Sequence, residues 1–339
     1  MRILIDIVHL GDLNFYKKTI DELKEKHEII LTVINRGKLQ SIAAKEHPDI
    51  EILRIGKHRK TFLGKLIGIV DREIKLILIL SRKHFDRVTS FGFYPAIAAK
   101  FFGVRSVLFH DDYEYKLIFK LCRIFGDEMI IPDSISESGK NIKKYPGFKE
   151  LAYLYNFKPS RKVLQEYGLK ENKYIFVRDI SPISLNYKDS KVINYSEVFK
   201  KLRKGGFKIF YYPEDAAKAK QYHNLARILS PPVTDLHSLI YFAALTISSG
   251  DGIAKESAII GTPVVYTGGR KMAILKPLIK MGAVTEAKSE KDTEILIKKI
   301  IDKNLKHMLR NLIKDKMGKD WPDWSKMIIK ELTNEADQN

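Results

Sequence analysis

Short runs rich in Val, Ile and Leu recur along this chain with helical stretches between them, and that alternation constrains the fold more than any other feature. RILIDIV, EIILTVI, IEILRIG, RVTSFG, SVLFHD and EMIIPD fill residues 2–133. Helical patterns at residues 15–26, 61–82, 95–102 and 113–123 separate most of them. Strands that alternate with helices imply βαβ units and a parallel sheet. The runs are nearly unbroken in apolar character, which fits strands covered by helices on both faces.

The alternation pauses at YPGFKELAYLYNFKPSRKVLQEYGLK, where Pro146, Gly147, Pro159 and Gly168 interrupt it. A second series then follows: YIFVRDI, FKIFYYP, ALTISSG and PVVYTG, each with a helix-like stretch behind it. The expected organisation is a first domain over 1–150, a linker over 151–170, and a second domain over 171–320. A helix over 321–334 and a frayed polar tail over 335–339 complete it. The Lys-rich helical region 290–332 is broken by DWPD, so Asp323 is expected to cap a last helix with Trp324, Ile328, Ile329 and Leu332 on one face.

A chain of 339 residues is long enough for two such cores. Its 60 Lys and Arg against 41 Asp and Glu leave a net charge of +19. That excess favours an anionic partner, whether nucleic acid, anionic lipid or a phosphorylated substrate, or else marks a Lys-rich solvated surface. The basic residues are scattered along helices and form no Arg- and aromatic-rich stripe, which weighs against nucleic acid. Cys122 stands alone, so no internal disulfide forms and no Cys cluster is available for zinc or iron–sulfur. MRILIDIV runs straight into strand-like sequence without a secretory layout, and the expectation is a cytoplasmic protein. The longest apolar region, residues 62–80, contains Asp71, Arg72, Glu73 and Lys75. It reads as an amphipathic helix and leaves peripheral attachment to a membrane open.

The second series contains SSGDGIAKESAIIGTPVV, residues 248–265. ALTISS reads as a strand, Gly250-Asp251-Gly252 as a turn and residues 253–260 as a helix that Gly261 and Pro263 end. Such a unit aims unsatisfied amides at whatever lies above the helix start, and the helix dipole favours an anion there. Ligands of open parallel sheets bind at this strand edge.

The run 250–263, GDGIAKESAIIGTP, resembles the C-terminal-domain motif of GT-B fold glycosyltransferases. It looks most like a group of predicted glycosyltransferases, largely archaeal and bacterial. It is also similar to the enzyme that makes lipid II and to UDP-N-acetylglucosamine 2-epimerase. MRILIDIVHLGDLNFYKKTIDEL, FGFYPAIAAKFFGVRSVLFHDD and LAYLYNFKPSRKVLQEYGL resemble further segments of that group in the same order. The resemblance implies a GT-B α/β fold: two tandem Rossmann-like domains facing across a cleft, with the C-terminal helix packing back toward the first. It implies a nucleotide-sugar donor, most simply a UDP-sugar, and no separate cofactor. The diphosphate would lie over Ser249, Gly250 and Gly252, with Ser248 among the donor-binding residues, and Glu256 would hold the ribose hydroxyls, as a carboxylate can by accepting two hydrogens. Where the pattern usually has Gly-Gly-Thr, this chain has Gly-Asp-Gly. Asp251 would cap the helix, turn outward or contact a sugar hydroxyl. Arg178, Gly269 and Arg270 follow strand ends and offer phosphate contacts. Glu214 and His237 are candidates for base or sugar contacts.

Glycosyl transfer needs a base for the acceptor and stabilisation of the leaving phosphate. His9 and Asp12, in the loop after the first strand, and His110 and Asp111, after a later one, are the candidates. No Asp-x-Asp triplet occurs, so a metal-bridged donor is not expected, and the Walker pattern is absent. The leading expectation is a metal-independent hexosyl- or N-acetylhexosaminyltransferase acting on a hydroxyl or phosphate acceptor, with a lipid-linked acceptor as one option. The alternatives are a nucleotide-sugar 2-epimerase and a basic nucleic-acid-binding module.

Overall fold

A computed structural model describes residues 1–57, 59, 61–181, 193–303 and 305–334. The expected tail over 335–339 lies outside them. Among the described residues the strands are β1 (Arg2–Ile7), β2 (Glu28–Asn35), β3 (Glu51–Lys57), β4 (Arg87–Ser90), β5 (Arg105–Phe109), β6 (Glu128–Pro132), β7 (Ile142–Tyr145), β8 (Tyr174–Asp179), β9 (Lys208–Pro213), β10 (Arg227–Ile228), β11 (Leu245–Ser248), β12 (Val264–Tyr266) and β13 (Val284–Glu286). They form two sheets, ordered β3-β2-β1-β4-β5-β6-β7 and β10-β9-β8-β11-β12-β13. Every pairing is parallel. In each sheet the chain winds outward one way, returns, and winds outward the other way. The switch points lie between β1 and β4 and between β8 and β11, where such sheets receive ligands.

The chain divides into two compact units, Met1–Tyr155 with Trp321–Asn339, and Asn156–Asp320. The first sheet is buried by side chains such as Leu4, Ile30 and Val88 packed against Leu76, Leu80 and Ala98 of the helices that cover it. The second has its own core, in which Ile175, Val177 and Ile247 meet Phe199, Tyr211 and Ile297. The stretch that reads as a linker contains two short helices, Leu151–Leu154 and Lys162–Tyr167.

The last helix, Trp324–Thr333, packs in the first unit. Asp323 caps it, its carboxylate accepting from the Ser325 amide at 3.0 Å. Trp324 is fully buried, edge-on to Phe15 and Tyr145, and its indole N–H donates to the Pro146 carbonyl at 2.9 Å. Ile328 and Leu332 are buried with it, as expected. Met327 completes the inner face, whereas Ile329 is only half-buried.

Candidate functional site

At the switch point of the second sheet, β8 and β11 end side by side. The Ser249 amide donates to the Arg178 carbonyl at 3.0 Å. The Ser249 hydroxyl donates to Asp179 at 3.0 Å and accepts from the Ile180 amide at 2.8 Å. Asp179 is buried and also takes a hydrogen bond from Tyr211 (2.7 Å) and the ammonium of Lys218 (2.9 Å). This hub fixes the backbone just ahead of the helix Asp251–Ile259. Asp179 carries no local signal in the sequence, unlike its neighbour Arg178, because its three partners come from β9, the helix after it, and the β11 turn.

The turn is tighter than expected. Gly250 is the N-cap, so Asp251 and Gly252 form the helix's first turn instead of a turn ahead of residue 253. Asp251 therefore does not cap the helix. Its carboxylate lies 3.6 Å from Arg270, which offsets its charge. The Ser248 hydroxyl accepts from the Gly250 amide at 3.2 Å and donates to the Gly250 carbonyl at 2.7 Å. Around Gly252 the space is open: a Cβ added there would meet nothing within 4 Å. At Gly268 the reverse holds. A Cβ would stand 2.2 Å from the Ser249 carbonyl oxygen, so the chain's own β12 loop needs the small residue there. Gly269, the glycine expected at the site, has φ +72° and sets the loop's direction toward Arg270.

Glu256, one turn into the helix, lies 3.4 Å from the His237 ring. Burial alone would lower the His237 pKa, but the charge of Glu256 and a hydrogen bond to it outweigh burial and raise it. Arg178 is bound to Glu214, donates to the Tyr212 carbonyl at 3.1 Å, and stacks on the Tyr212 ring. Glu214 also accepts from the Ser181 amide at 3.1 Å. The cation beside Asp251 is thus Arg270, and Arg178 serves Glu214.

In the first unit the edge after β1 carries His9 and Asp12. His9 caps the helix Leu10–Leu23, and its ring lies against the Arg36 guanidinium, 2.8 Å from Nδ1. Asp12 is buried and accepts from the amides of His9 (2.8 Å) and Val8 (3.1 Å). Burial pushes its carboxyl up to about 7, against the pull of Lys149 and those two amides. Lys149 also pairs with Asp111 at 3.3 Å and sits 4.1 Å from the Phe91 ring centre. It thereby links the β1 edge to the β5 edge, a role hidden in the sequence because it falls in an irregular segment. His110 is buried between Phe91 and Phe119, and burial lowers its pKa. The Asp111 and Asp112 charges and the Asp112 backbone, which favours the charged ring, pull the other way without overcoming burial.

A second buried group lies on the same unit. Asp6 of β1 pairs with Arg72, both fully buried, and Arg72 also donates to the Ile55 carbonyl. Beside them, both carboxylate oxygens of Glu73 are buried without a hydrogen-bond partner. Burial and the Asp6 charge push Glu73 up to about 8, so it holds its proton at neutral pH. Among the described residues no three His, Cys, Asp or Glu side chains gather to hold a metal ion, and no helix is long and apolar enough to cross a membrane.

Two doubly wound parallel sheets, each with its switch point edged by polar loops, with the C-terminal helix packed in the first unit, match the GT-B fold. Solved structures agree. Staphylococcus aureus MnaA, determined with UDP, superposes with a TM-score of 0.71 at 13% identity over 97% of this chain and 95% of that one. The UDP-GlcNAc 2-epimerase of Methanocaldococcus jannaschii, in complex with UDP-GlcNAc and UDP, gives 0.69 at 14% identity over 89% and 93%. MurG of Acinetobacter baumannii gives 0.61 at 12% identity over 98% and 99%. The chain belongs to the family described as protein of unknown function (DUF354), whose model matches residues 1–337. A relative from M. jannaschii, the uncharacterized protein MJ0665, is 26% identical over 281 residues, 77% of this chain and 80% of its own.

Proposed function

We propose that this protein is a glycosyltransferase that takes a sugar from a nucleoside diphosphate, most simply a UDP-sugar, and passes it to a hydroxyl or phosphate acceptor. One observation carries the reading. At the switch point of the second sheet a helix N-terminus opens onto free space at Gly252, with a carboxylate one turn inward. The first-turn amides of a helix lack intrahelical acceptors and attract a phosphate, so the diphosphate lies over residues 249–252. Arg270 neutralises Asp251, which otherwise would repel it. Glu256 accepts the ribose hydroxyls, held in place by His237. The Asp179 hub keeps the Ser249 backbone from shifting as charge accumulates on the leaving diphosphate, which preserves preorganised stabilisation.

In the first unit, Asp12 is the preferred base. A carboxyl near 7 is half ionised at neutral pH and strong enough to take an acceptor proton. His110, neutral at that pH, can also accept one. Lys149, beside Asp12 and Asp111, offers a positive charge to an anionic acceptor.

A panel of UDP-, GDP-, CDP- and dTDP-sugars in a thermal-shift assay tests the donor. A ligand that binds only the native state stabilises by about 2.7 kcal/mol at 100 times its Kd. Absence of a shift with every nucleotide at millimolar concentration refutes the reading. A second reading, 2-epimerisation, is supported by the fold shared with solved UDP-GlcNAc 2-epimerases. Incubation with UDP-HexNAc in heavy water separates the two: epimerisation through C2 incorporates deuterium, and transfer does not.

A further inference from the structure

The helix Phe62–Arg82 is apolar on two sides. Leu76 and Leu80 face the core, while Leu63, Ile67, Val70, Ile74 and Leu78 stand 47–71% exposed. Their spacing places all five within one narrow arc, a stripe about 22 Å long at 1.5 Å per residue. The two helices that follow on the same sheet face also expose large apolar side chains. Phe101 (73% exposed) and Phe102 close Tyr94–Phe101, and Leu117 (61%) and Ile124 lie on Lys116–Phe125. These helices all cover one face of the first sheet, because the crossovers from β3 to β4, β5 and β6 all run the same way across it. So many large apolar side chains exposed on one face of a sheet mark a surface that meets something other than water.

The charge around it is mostly positive, although Lys75 pairs with Asp71 at 2.8 Å and Arg123 with Glu137 at 3.0 Å. Lys75, Arg82, Lys100, Lys116, Lys120 and Arg123 are exposed on these three helices, whereas their described acids, Asp71 and Glu73, are half-buried. A second copy of the chain would bring like charges together across such a rim, and a nucleic acid would meet an aliphatic centre with nothing to bind. An anionic lipid surface satisfies both parts, taking the aliphatic stripe into its acyl boundary and the ammonium and guanidinium groups among its headgroups.

We infer that this three-helix face is a membrane-docking surface, with Phe62–Arg82 lying in the plane of an anionic bilayer. The inference stands on the first unit alone and holds whether or not the sugar-transfer reading does. If both hold, the acceptor is a lipid-borne phosphate or hydroxyl presented at that surface.

The test is co-sedimentation of the full chain with vesicles of phosphatidylcholine containing phosphatidylglycerol, against phosphatidylcholine alone. The wild type is expected to pellet with the anionic vesicles and far less with the neutral ones. Ile67→Glu with Ile74→Glu should lower partitioning by about tenfold or more, with an unchanged melting temperature, since both side chains already face water. Lys116→Gln with Lys120→Gln should weaken binding to anionic vesicles alone. Failure of the wild type to pellet, equal binding to both vesicle types, or undiminished binding by the Glu variant each overturns the inference. So does a lipid-free dimer in sedimentation velocity that the Glu variant dissolves, which would assign the face to a second copy.

Discussion

Replacing Glu73 by Gln should stabilise the first unit, by an amount that grows with pH. In the folded protein the Glu73 carboxyl is pushed from an ordinary 4.5 to about 8, first by burial and then by the Asp6 charge. The unfolded chain releases that proton near 4.5. Between these values the folded state binds more protons than the unfolded one, so stability falls as pH rises through the window. At pH 7 the gap is about 2.5 pH units, and at about 1.4 kcal/mol per unit the wild type forgoes roughly 3 kcal/mol. At pH 5 the loss is under about 1 kcal/mol. Gln has the same shape and no proton to lose, so it removes this penalty, less the cost of burying its own amide. For a unit of this size each kcal/mol moves the melting temperature by about 2–4 °C, giving an upper limit of roughly 6–12 °C at pH 7. The assay is tryptophan fluorescence during thermal unfolding from pH 5 to 8. The chain has two tryptophans, Trp321 and Trp324, and both are buried in the first unit, so the signal reports that unit. A Gln variant that gains nothing at pH 7 relative to pH 5, or that loses stability throughout, refutes the reasoning.

Glu256→Gln should weaken UDP-sugar binding by about five- to thirtyfold, the loss of one charge-assisted hydrogen bond, and should lower the His237 pKa in an NMR titration because Glu256 is what raises it. Gly268→Ala should destabilise the second unit and abolish the nucleotide-induced thermal shift, since its Cβ cannot stand 2.2 Å from the Ser249 oxygen without moving the turn; circular dichroism melting with and without nucleotide checks both. If Asp12 is the base, kcat/KM should climb with pH through about 7 and level off above it, and Asp12→Asn should flatten that limb; a profile unchanged in the Asn variant assigns the proton elsewhere.

The sequence carried the sheet architecture well and the side-chain pairings poorly, for physical reasons. β1, β2, β8 and β11 are buried on both faces, so their composition alone announces them. β7, Ile142–Tyr145, is an edge strand with Lys143 and Lys144 exposed, and it shows no apolar run to read. β10 has only two residues. The glycine-bounded helix of the site was legible because backbone conformation dictates its punctuation: Gly261 does sit at its end, with φ +80°. What attaches to that helix was not. His237 with Glu256, and Arg270 with Asp251, are partners from separate strand–helix units. Asp179 and Lys149 gain their importance from neighbours 30 or more positions away, and no local pattern encodes that.

The return of Trp324 to Phe15 and Tyr145 has a consequence for how the protein is made. Residues 156–320 are contiguous and can fold as soon as they leave the ribosome. Residues 1–155 emerge earlier, yet they lack the indole that fills the gap between Phe15 and Tyr145 until the codons for the last helix have been translated. The half synthesised first is therefore the half finished last, and a premature stop between codons 321 and 324 would damage the amino-terminal lobe while leaving the second one complete.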